Sequence, residues 1–213
     1  RMDFSLSDKS CDYLSRVQEF IEQHIVPYES DYRKENQRLN AGPHWREWQV
    51  PPHVAELKAM AKKAGLWNLF LPDAELGQGL TTLEYAPIAE CMGHSLLAPE
   101  IFNCNAPDTG NMEVLYHFGS ASQKTQWLEP LLAGDIRSVF CMTEPDVASS
   151  DATNMQTTIT ADGDEWVING RKWWSTGLGH PDAQFAIVMG LTDADADKHS
   201  RHSMVIVPLN TPG

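Results

Sequence analysis

Two segments carry the side chains best suited to chemistry. The first is Phe140-Cys-Met-Thr-Glu-Pro-Asp-Val-Ala-Ser-Ser-Asp151, and the second is Gly170-Arg-Lys-Trp-Trp-Ser-Thr176. Thr143-Glu-Pro145 closes a strand-like stretch with a hydroxyl and a fixed turn. Ser149, Ser150, Asp151 and Thr153 follow as short polar groups, as a pyrophosphate or thioester would require. Trp173-Trp174 places a large ring on each face of a strand, so one ring is either poorly buried or covered by something else. Strands with polar turns and core tryptophans would explain each segment singly. Jointly they suit a planar cofactor with polar edges, such as a flavin. One segment would bind its edge and phosphates while the other covers its face.

Other patterns are weaker. Asp193-x-Asp195-x-Asp197 opens like a calcium loop but has Lys198 and Met204 where the loop needs Gly and Glu, so it reads as a solvated turn. His199-x-x-His202 lies in a polar loop leading to a strand, with no cysteine nearby, and no metal is expected there. The stretch Pro72 to Gly79 lacks the spacing of a phosphate cradle and reads as a turn between helices. No G-x-S-x-G supports nucleophilic hydrolysis.

The elements that must position these groups fall into two kinds. Up to Ile136 the period is helical. Leu14, Val17, Phe20, Ile21 and Ile25 share a face, and Pro27 is expected to stop that helix. The stretch from Asn36 to Gln49 reads as a loop, and Pro51-Pro52 opens a helix that ends near Gly65. Thr81 with Glu84, and Ser120 with Gln123, read as capping boxes. Pro87 should kink the first of the two helices they start, or shift its beginning. Another helix runs from Asn111 to Phe118, and Gly134 closes the last one. After Ile136 the period becomes that of strands. Asp162-Gly163 and Asn169-Gly170 both read as hairpin turns around the strand from Glu165 to Ile168. Phe185 to Met189 and Met204 to Val207 are further strands.

The fold class is therefore α+β: a helical domain over residues 1–136, then an antiparallel β domain over residues 137–213. The chain stops just after a strand, so the β domain is expected to be incomplete and the sequence a piece of a longer protein. Its 16 basic and 29 acidic residues give a net charge of -13, which argues against a nucleic-acid partner. No apolar run reaches the ~20 residues of a membrane span. The four cysteines are widely spread without a C-x-x-C pair, so reduced thiols are expected.

These motifs resemble the acyl-CoA dehydrogenase family. Thr143-Glu-Pro145 with Ser149-Ser150-Asp151, and Asn169-Gly170-x-Lys172-x-Trp174-Ser-Thr176, carry the likeness in the β half. Pro72…Gly77-x-Gly79 and Gly119-Ser-x-x-Gln123-Lys124-x-x-Trp127-Leu128…Gly134 carry it in the helical half. The run from Thr143 to Asn154 is most similar to family members ten and eleven. The resemblance implies a helical domain, a middle flavin-binding β-barrel that is partial here, and a C-terminal helical bundle that is absent. It implies FAD-dependent α,β-dehydrogenation of a fatty acyl-CoA to the trans-2-enoyl-CoA in β-oxidation. In that reaction a carboxylate removes the α-proton and a hydride moves from the β-carbon to the flavin.

By the same resemblance Phe140, Cys141, Met142 and Thr143 line the flavin ring. Ser149 or Ser150 contacts both cofactor and substrate. Trp174 packs on the flavin, with Ser175 and Thr176 beside it. Asn105 and Met112 lie where the acyl chain would run. The family's catalytic base lies in the missing bundle, so no catalytic residue is assigned and this segment alone is expected to be inactive. Implied partners are an electron-transfer flavoprotein and further copies of the chain in a homodimer or homotetramer, in mitochondria or peroxisomes. The rival readings are an acyl-CoA oxidase-like flavoenzyme and a non-catalytic flavin or acyl-CoA binding module. Two departures stand out: the turn after Thr-Glu-Pro is one residue longer than usual, and the family's catalytic Glu has no counterpart here, since Glu144 belongs to the turn motif and is not taken as the base.

Overall fold

The computed structural model describes residues 3–213. The chain divides into two compact units, with Asp135 ending the first and Ile136 starting the second.

The first unit is helical. It contains α1 (Asp8–Phe20), α2 (Val26–Leu39), α3 (His53–Lys63), α4 (Thr82–Met92), α5 (Ala98–Ile101), α6 (Asp108–Phe118), α7 (Ala121–Gln123) and α8 (Glu129–Ala133). The apolar stripe of α1 continues into a π-helical turn, Ile21–Ile25, and α2 follows without a break. Pro27 therefore does not stop the helix, and Asn36 to Leu39 are helical rather than loop. A proline inside a helix removes one N–H and its ring clashes with the carbonyl four residues back. Here the preceding turn is widened, and the Val26 N–H bonds Ile21 O five residues back. The same arrangement recurs at Lys124–Leu128, just ahead of Pro130, where the Glu129 N–H bonds Lys124 O. Pro87 leaves the start of α4 unshifted, because Thr81 and Glu84 satisfy each other's backbone N–H groups there. Ser120 and Gln123 do the same for α7.

The core of this unit gathers Val17, Phe20, Ile25, Leu57, Leu69, Ile88 and Phe102, with the Phe20 and Phe102 rings edge to face at 5.3 Å. Two buried asparagines with left-handed backbones, Asn68 and Asn103, bond each other and the carbonyls of α8. Gly134 ends α8 at φ 73°, and a side chain there would strike the Trp67 ring at 2.6 Å.

The second unit is one sheet of five strands: β1 (Arg137–Cys141), β2 (Thr158–Asp162), β3 (Glu165–Asn169), β4 (Ala183–Leu191) and β5 (His202–Pro208). β4 is its hub. Along one edge it pairs antiparallel with β5, and along the other it pairs with β1 and, at Leu191, with β2. The expectation of a wholly antiparallel sheet is corrected here, because β1 and β4 run parallel from Arg137↔Ala183 to Cys141↔Val188. The sheet is mixed and not closed. Parallel pairing needs a long crossover, and the excursion between β1 and β4 supplies it. Both faces carry buried residues, Val139 and Ile159 on one and Phe185 and Ile187 on the other.

Asp162-Gly163 is a hairpin tip as expected: Asp162 faces Glu165 and Gly163 takes φ 59°. Asn169-Gly170 is not. The chain runs on irregularly after Asn169, so Trp173 and Trp174 do not lie on a strand. Gly170 is needed for a different reason, since an added Cβ would sit 2.2 Å from Thr157 Oγ1.

Candidate functional site

The site is built where β1 ends. Phe140 and Cys141 are its last residues, and all of residues 140–143 are half-buried. The segment from Gly170 comes back alongside. The Trp173 N–H donates to Thr143 O at 3.0 Å, and the Thr143 hydroxyl donates to Trp173 O at 2.8 Å. This two-way tie sets Trp174 beside Thr143.

Trp174 has φ 54°, a left-handed backbone that costs a non-glycine residue roughly 1–2 kcal/mol. Its side chain is nonetheless 80% exposed. Trp173 lies 5.6 Å from it, tilted and also exposed. A strained backbone that holds a large ring in the open buries nothing in this unit, so the ring is displayed rather than packed. Ser175 is half-buried and Thr176 exposed, and the Thr176 N–H closes a tight turn on Trp174 O.

The turn after Thr143 distinguishes the two serines. Ser149 is buried, and its Oγ accepts the Glu144 N–H at 2.5 Å. Ser150 is exposed on the same turn. Asp151 caps the short turn Ala152–Asn154, accepting the N–H and hydroxyl of Thr153, and these bonds hold its carboxyl below the usual range. Arg201 braces that turn from the start of β5, donating to Thr153 O at 2.6 Å.

Beneath the turn lies a buried ion pair. Lys172 Nζ donates to Glu144 Oε1 at 2.9 Å and to Met142 O at 2.7 Å. Glu144 also accepts the N–H groups of Gln156 and Thr157. Burial pushes the Glu144 carboxyl up, but Thr157, Lys172 and the two N–H groups together outweigh it and lower it to about 2. A carboxylate that acidic is a poor proton acceptor at neutral pH. Glu144 is thus a brace for the turn and not a base.

Lys172 stood in the sequence only as a motif position, and its burial was not foreseen. The available signal was its place directly before two tryptophans, with an acidic partner in the Thr-Glu-Pro turn. In the helical unit, Met112 is completely buried, and Asn105 is half-buried with its amide donating to Glu100 at 3.0 Å. Among the described residues no group of three or more His, Cys, Asp or Glu could hold a metal ion, and no helix is long and apolar enough to cross a membrane. Asp193 Oδ1 accepts the Asp195 N–H, closing a local turn.

Comparison with known proteins fits this layout. Residues 7–135 match the acyl-CoA dehydrogenase N-terminal domain, and residues 139–213 match the acyl-CoA dehydrogenase middle domain. The "Probable acyl-CoA dehydrogenase FadE2" of Mycobacterium tuberculosis is 54% identical over 100% of this chain and 51% of its own length. Acyl-CoA dehydrogenase family member 11 of Mus musculus is 50% identical over 99% of this chain and 26% of its own. A solved structure described as an acyl-CoA dehydrogenase, from Mycobacterium abscessus, is 58% identical with a TM-score of 0.92, covering 98% of this chain and 52% of that one. The chain thus spans about half the length of one of these curated relatives and a quarter of the other. The Thr-Glu-Pro turn, the displayed tryptophan and the two matched domains lead to one conclusion: this chain belongs to the acyl-CoA dehydrogenase family.

Proposed function

We propose that the sheet unit binds the flavin of FAD and that the intact protein oxidises a fatty acyl-CoA at its α,β bond. The observation that carries this reading is Trp174, displayed in a strained backbone and tied through Trp173 to Thr143. The side chains present suit the group. An open aromatic face meets a planar ring, while the half-buried edge of Phe140, Cys141 and Met142 and the hydroxyls of Thr143 and Thr176 meet its rim. Ser150 is the serine open to a phosphate or thioester, and Ser149 holds the turn that presents it. The flavin would supply the acceptor for the hydride leaving the β-carbon. The chain's own residues orient and cover. Trp174 would cover one face against water, and Thr143 and Thr176 would offer hydroxyl groups at the rim. Asn105 and Met112 are the helical-unit residues that the resemblance assigns to the acyl chain, Asn105 half-buried and Met112 completely buried.

The finer reading places the reaction in β-oxidation within mitochondria or peroxisomes. There an electron-transfer flavoprotein serves as acceptor, and the protein works as a homodimer or homotetramer. The identity with relatives that carry the dehydrogenase name supports the dehydrogenation in this reading.

The test is flavin affinity in the intact protein. Trp174→Ala should weaken FAD binding several-fold, because a stacked aromatic is worth about 0.5–1.5 kcal/mol beyond area burial. FAD occupancy unchanged in both Trp174→Ala and Thr143→Ala would sink the assignment.

One observation favours a second reading for this segment by itself, a binding module without turnover. The single carboxylate buried at the turn is ion-paired and held at about 2. Dehydrogenation needs a base within ~3 Å of the α-proton. Residues 1–213 alone, given FAD and acyl-CoA without oxygen, should therefore leave the flavin unbleached. Bleaching at the rate of the intact protein would place the base within these residues.

A further inference from the structure

We propose that Lys172 and Glu144 are positioning residues for the flavin, one buried ion pair fixing the Met142–Thr143 edge and the Trp174 edge of the site relative to each other. This rests on the flavin reading above and adds to it the groups that set its geometry.

An ammonium has three hydrogens to give. Those of Lys172 reach Met142 O at 2.7 Å, Glu144 Oε1 at 2.9 Å and Met155 Sδ at 3.5 Å. Met142 immediately precedes Thr143, and Lys172 lies two residues before Trp174. Thr143 and Trp173 then complete the lacing with their reciprocal bonds. Through Glu144 the same ammonium also grips Gln156 and Thr157. Two side chains thus hold stretches that are far apart in the chain. With side chains only 11% and 6% exposed, neither residue is placed to touch a ligand. They act through the Met142 carbonyl, Thr143 and Trp174.

Stability alone does not call for such a pair, because apolar residues of the same volume often serve as well or better. What the pair adds is direction. An ammonium and a carboxylate set distances between segments through oriented hydrogen bonds, which packing of flexible apolar chains does not. A site that must place a ring between two edges needs its supporting groups locked in that way. The left-handed Trp174 needs it too, since a strained residue persists only where its surroundings over-determine it.

The experiment uses the intact protein titrated with FAD. It compares wild type, Trp174→Ala, Thr143→Ala, Lys172→Met, Lys172→Arg, Glu144→Gln and a control, Ile159→Ala. Ile159 is buried in β2 and takes no part in the site. Three readouts are taken: FAD affinity, the visible flavin band with the near-ultraviolet circular dichroism of the tryptophans, and Tm. Lys172→Met and Glu144→Gln should weaken FAD by roughly tenfold and change both spectra, while Ile159→Ala lowers Tm with affinity kept within about twofold. Lys172→Arg, which keeps the charge but not the compact three-donor head, should recover only part of the affinity. Should Lys172→Met fail to fold, Glu144→Gln, which preserves shape, carries the comparison. If the pair variants behave like Ile159→Ala, losing Tm but neither affinity nor spectra, the positioning role is overturned while the flavin reading stands. If wild type takes up no FAD, or if Trp174→Ala and Thr143→Ala both match wild type, the flavin reading fails and this proposal falls with it.

Discussion

Replacing Lys172 by methionine is expected to destabilise the sheet unit by about 3–5 kcal/mol, because it leaves a buried carboxylate without its counter-charge. Glu144 would keep the Gln156 and Thr157 N–H groups but lose the ammonium. The wild-type pair also imposes a pH dependence of known sign. The Glu144 carboxyl is lowered from 4.5 to about 2 on folding. A depressed carboxyl contributes stability above its unfolded value and loses it as the pH falls. The contribution, on the order of 3 kcal/mol, is thus complete above about pH 5 and drains away between there and about pH 2. Urea denaturation at neutral pH and at about pH 3 measures both effects. In Glu144→Gln the acid-dependent part should shrink, and the double variant with Lys172→Met should recover much of the single loss. A Lys172→Met cost below about 1 kcal/mol would mean the pair is solvated and the turn is held by other means.

Gly170→Ala is the second large effect. The added Cβ would fall 2.2 Å from Thr157 Oγ1 and 2.6 Å from Thr157 Cβ. Thr157 cannot retreat, since its N–H is held by Glu144 and its carbonyl accepts the Leu191 N–H at 2.7 Å. Overpacking of this kind typically costs 1–3 kcal/mol, and the clash with a pinned neighbour puts this case at about 3 kcal/mol. Gly163→Ala gives the contrast. Gly163 has φ 59° with nothing within 4 Å of a new Cβ, so only backbone preference is lost, about 1 kcal/mol. Denaturation midpoints of the two variants settle the order. If Gly163→Ala is the more damaging, the close approach at Gly170 is not what the glycine serves.

These two positions also show what the sequence could and could not disclose. Features decided within a few residues were legible. Thr81 with Glu84 and Ser120 with Gln123 close on each other as their spacing suggests, and Asp162-Gly163 turns a hairpin. Features decided by a distant partner were not. Asn169-Gly170 has the composition of a turn, yet its glycine answers to Thr157. Pro27 has the chemistry of a stop, yet a widened turn before it lets the helix pass. Alternating apolar residues mark β1 as a strand without saying that its partner is β4 or that the two run parallel.

The candidate site divides the same way. Residue type and spacing single out Thr143 and Trp174 as candidates, and the structure ties their segments together. The difference between Ser149 and Ser150 is set by the Glu144 N–H, which turns one hydroxyl inward and leaves the other open. Lys172 and Glu144 look like ordinary surface charges in one dimension, and only the fold brings them together under the turn.

The hub position of β4 sets an order of events on a chain made from its N-terminus. Every residue assigned to the flavin edge has been synthesised by Thr176, but β4 begins only at Ala183. Until then β1 has no strand to lie against and the β2–β3 hairpin stands alone, an arrangement that is marginal in water. The helical unit, complete by Asp135, can fold while the ribosome is still delivering these strands. A nascent chain that has passed Thr176 thus carries the whole vocabulary of the site with no grammar. It acquires one in a single late step, when β4 emerges and recruits β1 on one edge and then β5 on the other.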